Sequence, residues 1–192
     1  MLPYTPLHYL MFHHPLGQEG SAQFPHFQAL VMTSGNLSEE PIVRDNDEAV
    51  NKLLDIVDGF LLHNRDIFMR VDDSVVRVRS DELGVQGSVN SKLRTPNSEL
   101  LFSRRSRGYA PDPIDLHDEG PEVLACGADL KNTFTLTKGK FAIPSQHIGD
   151  MENYETVRFF EESLANLKAV YRAEPAAIVH DLHPEFLSTR WA

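Results

Sequence analysis

The stretch LVMTSGNLSEEPI, from Leu30 to Ile42, decides how this chain is interpreted. An apolar run from Ala29 to Met32 is typical of a β-strand, and the acidic residues after Asn36 are typical of the start of a helix. Ser34 and Asn36 would then lie at a strand end, where hydroxyl and amide groups can donate hydrogen bonds to a phosphate, and Gly35 would let a ligand approach the backbone closely. Serine and asparagine also serve as ordinary turn and cap residues, so the motif alone leaves both interpretations open.

The composition is that of a soluble globular protein, with 192 residues of which 41% are hydrophobic and 24% are charged. This length suffices for one large domain or two small ones. Residues 1–17 are apolar but interrupted by prolines and lack a basic segment, so they make a poor signal peptide. No apolar run reaches the roughly 20 residues that span a bilayer. With the single cysteine Cys126, no internal disulfide is possible, which suits a reducing cytoplasm.

The formal net charge of −10 argues against general binding to a nucleic-acid backbone. One basic run, from Arg104 to Tyr109, stands out from this acidic background and is compatible with a nucleic-acid patch, a phosphate clamp or an exposed linker. Prolines and acidic residues follow as far as Pro121 and are typical of a linker. We therefore expect a first domain over 1–112, a linker over 113–121 and a second domain over 122–192.

Hydrophobic periodicity predicts a mixture of helices and strands, and hence an α/β or mixed α+β fold. One helix is expected over 47–57, capped by Asp45 or Asn46, and a longer helix over 153–171. Residues 138–140 (KGK) are typical of a hairpin turn between two strands. The other expected elements are strands at 60–62, 74–78, 122–126, 133–136, 141–144 and 177–179, a strand beginning at 100, and a loop or hairpin at 81–97.

Polar residues are concentrated directly after the first of these predicted strands. Arg65 and Arg70 carry guanidinium groups that suit a phosphate or carboxyl substrate. Asp72 and Asp73 would serve as orienting groups or magnesium ligands, although their spacing alone is weak evidence. A solvated loop would show the same composition.

Two later segments are rich in small hydrogen-bonding residues at strand ends. In residues 129–133 (DLKNT), a lysine beside asparagine and threonine would hold phosphate at a turn, although an ordinary polar turn has the same composition. Residues 145–150 (SQHIGD) follow another predicted strand in the same way. His180 and His183 lack the further ligands that zinc needs, and Cys126, inside an apolar strand, is expected to be an inert core thiol.

Taken together and in this order, the motifs resemble the HypF family of hydrogenase maturation carbamoyltransferases. The segments that carry the resemblance are TSGNLSEEPI (33–42), HNRDI (63–67) with RVDDSVVR (70–77), RRSRGYAPDPI (104–114), LACGADLKNTFTL (124–136), SQHIGD (145–150) and DLHPEFLSTRWA (181–192). The resemblance covers nearly the whole chain, and only residues 11–29 and 79–99 are uninformative.

The resemblance implies two modules and a reaction. Residues 1–112 are similar to the C-terminal part of a YrdC-like domain, an α/β fold with a twisted sheet and a positive concave face. Residues from about 122 are similar to the first part of a carbamoyltransferase domain of the actin-like ATPase architecture. In the family, carbamoyl phosphate and ATP, with Mg²⁺, give a carbamoyl-adenylate. The carbamoyl group then passes to the C-terminal cysteine of the partner protein HypE.

The resemblance also implies functional residues, although it assigns no catalytic one. The residues expected to contact the nucleotide are Ser34, Asn36, Ser74 and either Arg105 or Arg107. The residues expected to contact the carbamoyl or phosphate group are His63, Arg65, Asp129, Lys131 and Asn132. Preorganised donors at these positions would stabilise the charge that develops on phosphoryl and acyl groups during transfer.

Several parts of the family pattern are missing from the sequence. There is no acylphosphatase domain, no Cys-rich zinc region and no basic K-x-R element, and the chain stops before the histidine-rich metal motif of the family. We therefore expect a piece of a longer cytoplasmic protein, incomplete on its own and without a metal site. A nucleotide- or RNA-binding YrdC-like module is the alternative, which the net charge disfavours as far as RNA is concerned. A fragment that only docks a partner protein is a third interpretation.

Overall fold

The computed structural model describes residues 5–12, 29–79 and 99–192. It divides into two compact units, Met1–Gly35 and Asn36–Ala192. The first unit contains one helix, α1 (Pro6–Phe12), among its described residues. The strand predicted at Ala29–Met32 is wrong, because this segment has no strand pairing and Val31 is fully exposed. An apolar run becomes a strand only where a neighbouring strand pairs with its backbone.

The described part of the second unit contains two sheets and three helices. In chain order, its elements are α2 (Asn46–Leu53), β1 (Val75–Arg79), β2 (Glu99–Arg104), β3 (Ile114–Gly120), β4 (Val123–Cys126), β5 (Phe134–Pro144), α3 (Tyr154–Tyr171), β6 (Ala177–Val179) and α4 (Leu187–Trp191). This mixture confirms the predicted α+β class. No described helix has the length and apolar character needed to cross a membrane.

Helix α2 begins where the sequence predicts, because the Asp45 carboxylate accepts hydrogen bonds from the backbone N–H groups of Asp47 and Glu48. It ends at Leu53, before the predicted limit of 57. Ile56 follows in a turn and stays exposed, so the apolar residues beyond Leu53 have no packing surface to hold them in a helix. The strand predicted at 60–62 is also wrong, since the backbone of that segment does not form a β-strand.

Strands β1 and β2 form a separate antiparallel pair, in which Val76 lies opposite Phe102. Their positions confirm the strands expected near 74–78 and from 100 onward. The loop or hairpin expected at 81–97 lies outside the described residues.

The larger sheet has the strand order β3-β5-β4-β6. Strand β5 runs without interruption and pairs with β4 near its start, where Leu136 lies opposite Leu124. It pairs with β3 near its end, where Ala142 lies opposite Ile114. The hairpin predicted at 138–140 is therefore wrong. Gly139 has a φ of +56°, which produces an irregularity within a continuing strand rather than a reversal.

Residues 113–121, expected to form a linker from their composition, contain strand β3. All side chains of β3 are exposed, so the segment has the polar composition of a linker although its backbone pairs with β5. The pairing depends on a strand distant in sequence, and no local pattern reveals it. The expected division of the chain into 1–112 and 122–192 stays a prediction.

Helix α3 confirms the long helix predicted at 153–171. Its first turn is capped by Asn153, whose side-chain oxygen accepts a hydrogen bond from the Thr156 N–H at 2.8 Å. Its apolar stripe packs on one face of the larger sheet and forms the core. The buried core residues from the sheet and helix are Leu124, Phe134, Leu136, Ile143, Phe159, Phe160, Leu164 and Leu167. The sole tryptophan, Trp191 of α4, packs edge-on against Phe160 with ring centroids 4.7 Å apart.

Candidate functional site

Ser74 connects the segment before β1 to the residues after β2. We call the backbone and hydroxyl contacts among Asp72, Ser74, Ser106 and Arg107 the Ser74 joint. Its hydroxyl donates to the Arg107 carbonyl oxygen at 2.9 Å and accepts from the Ser106 N–H at 2.8 Å. The Arg107 N–H donates to the Asp72 carbonyl oxygen at 3.2 Å and closes the joint from the other side. The structure thus brings together two motifs that lie more than thirty residues apart in the sequence.

Arg105 and Arg107 differ in how their guanidinium groups are used. One Arg105 nitrogen donates to the Asp112 carbonyl oxygen at 2.9 Å, and its other terminal nitrogen is buried. The Arg107 side chain is 54% exposed, and it donates to the Val71 carbonyl oxygen at 3.1 Å. Its Nε lies 3.5 Å from an Asp73 carboxylate oxygen. Of the two arginines, Arg107 therefore has the guanidinium group that is more accessible to a ligand.

The two aspartates of this cluster both face arginines. Asp72 forms an ion pair with Arg104 at 2.7 Å, and Asp73 faces Arg107. Across the described ranges, no group of three or more His, Cys, Asp or Glu side chains is arranged to hold a metal ion. These ion pairs are compatible with the orienting role suggested for Asp72 and Asp73, and their alternative role as magnesium ligands stays a prediction.

The loop from Gly127 to Asn132 connects β4 to β5. Asp129 turns inward, and its two carboxylate oxygens accept from the N–H groups of Leu187 and Ser188 at 2.9 Å each. Asn132 is buried, and its side chain donates to the Ala128 carbonyl oxygen at 2.8 Å. Both side chains therefore hold the loop in place.

Lys131 is the member of this loop that faces solvent. Its side chain is largely exposed, its backbone has a φ of +54°, and its Nζ lies 3.6 Å from Asp150. The Lys131 N–H also donates to the Asp150 carboxylate at 2.6 Å. Among the three loop residues predicted to bind phosphate, Lys131 has the side chain that is most accessible to a ligand, although it also pairs with Asp150.

His147, from the SQHIGD motif, lies near two ion pairs, Arg104 with Asp72 and Lys131 with Asp150. Its N–H donates to the Arg105 carbonyl oxygen at 3.1 Å. Burial lowers the pKa of its imidazole, and the positive charges of Arg104 and Lys131 act in the same direction. Asp72 and Asp150 oppose them. His147 is therefore neutral at neutral pH and close to both ion pairs. The sequence drew attention to this motif but not to the histidine, because its neighbours come from distant segments.

His63 lines a different cavity, of about 670 Å³, between α2 and α3. The cavity also contains Asp45, Asp66 and Glu162, and its one arginine, Arg44, is paired with Glu162 at 3.2 Å. The other lining residues are Asn46, Asp47, Ile67, Phe68, Ala165 and Asn166. Acidic side chains outnumber basic ones there, so the cavity is a poor electrostatic match for the phosphate expected at His63. Arg65 is exposed and does not line it.

The TSGN motif spans the boundary between the two units. Ser34 belongs to the first unit, and Asn36 begins the second. The Asn36 side chain donates to the carbonyl oxygens of Leu37 and Glu40 at 2.8 and 3.0 Å. The helix start expected here is wrong, because residues 37–40 form a turn that Asn36 stabilises and Glu39 has a φ of +66°.

Cys126 has the environment expected of a core thiol. Burial raises the pKa of its thiol to about 11. The thiolate that a nucleophile requires is therefore scarce at neutral pH.

Comparison with protein families gives two matches on this chain. Residues 118–192 match the HypF Kae1-like domain. Residues 1–86 match a family described as telomere recombination, whose name includes YrdC.

Curated relatives match along the whole chain. It is 45% identical over 195 residues to carbamoyltransferase HypF2 of Cupriavidus necator and 42% identical over 193 residues to carbamoyltransferase HypF of Rhizobium leguminosarum bv. viciae. In both cases the match covers 100% of this chain and 22% of the relative. The chain therefore spans less than a quarter of the length of these relatives.

Solved structures give the same result. A full-length HypF in a phosphate- and nucleotide-bound form is 44% identical, with a TM-score of 0.74, over 100% of this chain and 26% of that one. HypF of T. kodakarensis is 36% identical, with a TM-score of 0.69, over 84% of this chain and 19% of that one.

Proposed function

Because this chain belongs to the HypF family of carbamoyltransferases, as a segment of it, we propose that it supplies part of an ATP-dependent carbamoyl-transfer site for hydrogenase maturation. ATP and carbamoyl phosphate would be the substrates. With one water consumed and phosphate and pyrophosphate released, they would give a carbamoyl-adenylate. Its carbamoyl group would pass to the C-terminal cysteine of HypE, with formation of a carbon–sulfur bond and release of AMP.

The observation that carries this proposal is the joint between Ser74 and Arg107. The Ser74 hydroxyl donates to the Arg107 carbonyl oxygen and accepts from the Ser106 N–H, so the backbone that carries the half-exposed Arg107 side chain is held in place. A guanidinium group matches phosphate oxygens with two parallel hydrogen bonds. We propose Arg107, rather than Arg105, as the arginine that clamps the nucleotide phosphates.

Electrostatic stabilisation is the contribution we assign to this part of the chain. Charge develops on the phosphate oxygens as the carbamoyl-adenylate forms and breaks, and fixed donors stabilise that charge. Mg²⁺ bound with ATP would neutralise further charge on the phosphates. Ser34 and Asn36 stay the predicted nucleotide contacts from the first motif, and His63 and Arg65 the predicted carbamoyl or phosphate contacts.

Lys131 is the residue we propose for the phosphate contact in the second matched region. It is exposed, while Asp129 and Asn132 support the loop that carries it. A lysine ammonium acts as a point charge and tolerates several ligand geometries. The phosphate contacts predicted for these three residues stay a proposal, in which we now assign the contact to Lys131 and the support of the loop to Asp129 and Asn132.

Calorimetric titration of the chain with Mg-ATP, with and without carbamoyl phosphate, tests the proposal. We expect saturable binding that weakens about tenfold in Arg107→Ala, which removes a charged hydrogen-bond donor. Ser74→Ala should weaken binding as well, because Arg107 then loses its support. A Ser34→Ala/Asn36→Ala variant tests the first motif separately.

Arg158→Ala is the matched control. Arg158 is a half-exposed arginine on α3, and within the described part of the chain its ion-pair partners are Glu155 and Glu162. Equal weakening in Arg158→Ala and Arg107→Ala would mean that net charge, not a site, determines binding. Binding that is unaffected by Arg107→Ala but lost in Arg105→Ala would transfer the clamp to Arg105.

A further inference from the structure

A cleft of about 390 Å³ lies beside the Ser74 joint. It is lined by Ile42, Val43, Arg44, Ile67, Met69, Arg70, Val71 and Arg107. Its walls are aliphatic except for the three arginines, and no acidic side chain lines it among the described residues. Ser74, His63 and Lys131 lie outside this arginine cleft.

Arg70 is the unusual member of the arginine cleft. Its side chain is only 8% exposed, which is rare for a charged residue without full pairing. One terminal nitrogen lies 3.4 Å from Glu48, and the guanidinium group stacks 5.6 Å from the centre of the Phe159 ring. Among the described residues, its Nε–H is buried and has no hydrogen-bond partner. A buried donor without a partner costs free energy, so the guanidinium group of Arg70 is incompletely satisfied by the surrounding protein.

The carboxylate that faces Arg70 is not reserved for it. Glu48 also forms an ion pair with Lys52 at 3.1 Å, and Lys52 is shared in turn with Glu40 and Glu155. The Arg70 backbone is held independently, because its carbonyl oxygen accepts from the Gln146 side chain at 2.6 Å. Arg70 is thus fixed in position while part of its hydrogen-bonding capacity stays unused.

The two other arginines differ in how free they are. A guanidinium nitrogen of Arg44 donates to the Phe68 carbonyl oxygen at 2.8 Å, and another pairs with Glu162. Arg44 therefore lines the cleft and adds positive charge, but its guanidinium group already has partners. Arg107 is half-exposed and faces Asp73 at 3.5 Å, which is a weak surface pair. It can therefore exchange that partner for a ligand in the cleft.

We propose that the arginine cleft binds a small oxyanion, with the buried guanidinium group of Arg70 as the fixed donor and that of Arg107 as the movable one. The shared ligand chemistry is a phosphate or a carboxylate group on a small molecule. The cleft is small, positively charged and largely aliphatic, and such a site strengthens charge-assisted hydrogen bonds because little water competes. This inference rests on the proposed function for the role of Arg107. It deepens that function by adding an oxyanion site whose lining does not include Ser74.

The direct measurement is the NMR signal of the Arg70 Nε–H in ¹⁵N-labelled protein during titration with sodium phosphate, sodium acetate or sodium chloride at equal ionic strength. We expect a saturating shift of that signal with phosphate or acetate and none with chloride. Whichever of the first two binds more tightly identifies the ligand as a phosphate or a carboxylate. No saturating shift, or the same shift with chloride, would overturn the proposal.

A variant series makes the assignment specific. Arg70→Lys keeps the charge but removes the Nε–H donor and the planar guanidinium group, so oxyanion affinity, followed by calorimetry, should fall about tenfold. Arg158→Lys makes the same change on α3 outside the cleft and should leave affinity unchanged. If Arg70→Lys does not fold, Arg107→Ala replaces it, since that side chain is half-exposed, and the Arg70 signal still reports on the wild-type protein. Affinity unaffected by the folded variant would contradict the proposal.

The Ser34→Ala/Asn36→Ala variant separates this inference from the proposed function, because neither residue lines the arginine cleft. Loss of ATP binding in that variant with phosphate or acetate binding retained would support both sites as distinct. A wild-type chain that binds the oxyanion but no ATP would refute the proposed nucleotide site alone. A chain that binds ATP but shows no shift at Arg70 would refute the arginine cleft alone.

Discussion

The Asp129 carboxylate accepts a hydrogen bond from the backbone N–H of Ser188 at 2.9 Å, across 59 residues of sequence. Its second oxygen accepts from the neighbouring Leu187 N–H. A residue in the loop after β4 therefore caps the first turn of α4, although α4 has no capping side chain of its own. The predicted phosphate loop and the last motif of the chain are thus joined through one carboxylate.

Replacing Asp129 by alanine should loosen α4. Two backbone N–H groups would lose their acceptor, and we expect a loss of about 1–2 kcal/mol in the free energy of unfolding. Trp191 is the sole tryptophan and packs on Phe160, so its fluorescence should shift to longer wavelength in the folded variant. Asp118→Ala on the exposed face of β3 is the control. An unchanged tryptophan spectrum in Asp129→Ala would show that α4 does not depend on this cap.

Gly127 is expected to tolerate no side chain. A Cβ at this position would lie 2.4 Å from the Thr133 carbonyl oxygen, which is backbone and cannot move aside. Gly127→Ala should therefore lower the free energy of unfolding by about 2 kcal/mol or more, as measured by urea denaturation. Gly120→Ala offers a matched comparison, because no atom lies within 4 Å of its Cβ position. Similar urea midpoints for the two variants would refute the steric argument.

Glu48→Gln should destabilise the contact between α2 and α3. Glu48 is paired with both Arg70 and Lys52, and Arg70 is buried, so removal of the carboxylate leaves a guanidinium group with weaker compensation. We expect a cost of about 2 kcal/mol in the free energy of unfolding. Glu152→Gln is a suitable control because Glu152 is exposed. A cost no larger than that of the control would mean that the stability of the fold does not depend on the pairing of Arg70 with Glu48.

Cys126 should react slowly with iodoacetamide in the folded protein. Its pKa is raised from 9.0 to about 11 by burial, so at pH 8.5 the thiolate fraction is roughly 100-fold lower than in the unfolded chain. Labelling rates with and without urea, followed by mass spectrometry, test this directly because the chain has one cysteine.

The same shift predicts a pH dependence of stability. The folded state retains its proton more tightly, so this contribution is complete below pH 9 and is lost as the pH rises towards about 11. Cys126→Ala should remove that part of the pH dependence. Equal labelling rates in native buffer and in urea would contradict the buried environment.

Local signals predicted α2 and α3 better than they predicted the larger sheet, but they did not reveal α4. Asn153 caps α3 through the Thr156 N–H, an interaction between neighbours in sequence, and the sequence pattern shows both residues. The turn-like sequence at 138–140 misled the prediction, because β3 and β4 pair with β5 on either side of Gly139 and extend it. Strand pairing depends on distant segments, so composition alone predicted a linker where β3 lies.

In the candidate site as well, residue types were predictable from the sequence, whereas contacts between distant segments were not. Residue types predicted Ser74 and Lys131 as polar positions near strand ends, and the structure places Ser74 at a joint and leaves Lys131 exposed. The inward orientation of Asp129 depends on α4, and the position of His147 depends on Arg104 and Lys131. Those partners lie far away in sequence, which is why the roles of Asp129 and His147 were not predictable from it.

The central position of β5 has a consequence for how the second unit assembles. Strands β3 and β4 are synthesised before β5, but both need it as a pairing partner, and they do not pair with each other. The parallel pairing of β4 with β6 further requires α3 to be in place, since α3 lies between them in sequence. During synthesis on a ribosome, β3 and β4 therefore stay unpaired until the chain has emerged past Pro144, the end of β5. The sheet should form in one cooperative step rather than strand by strand.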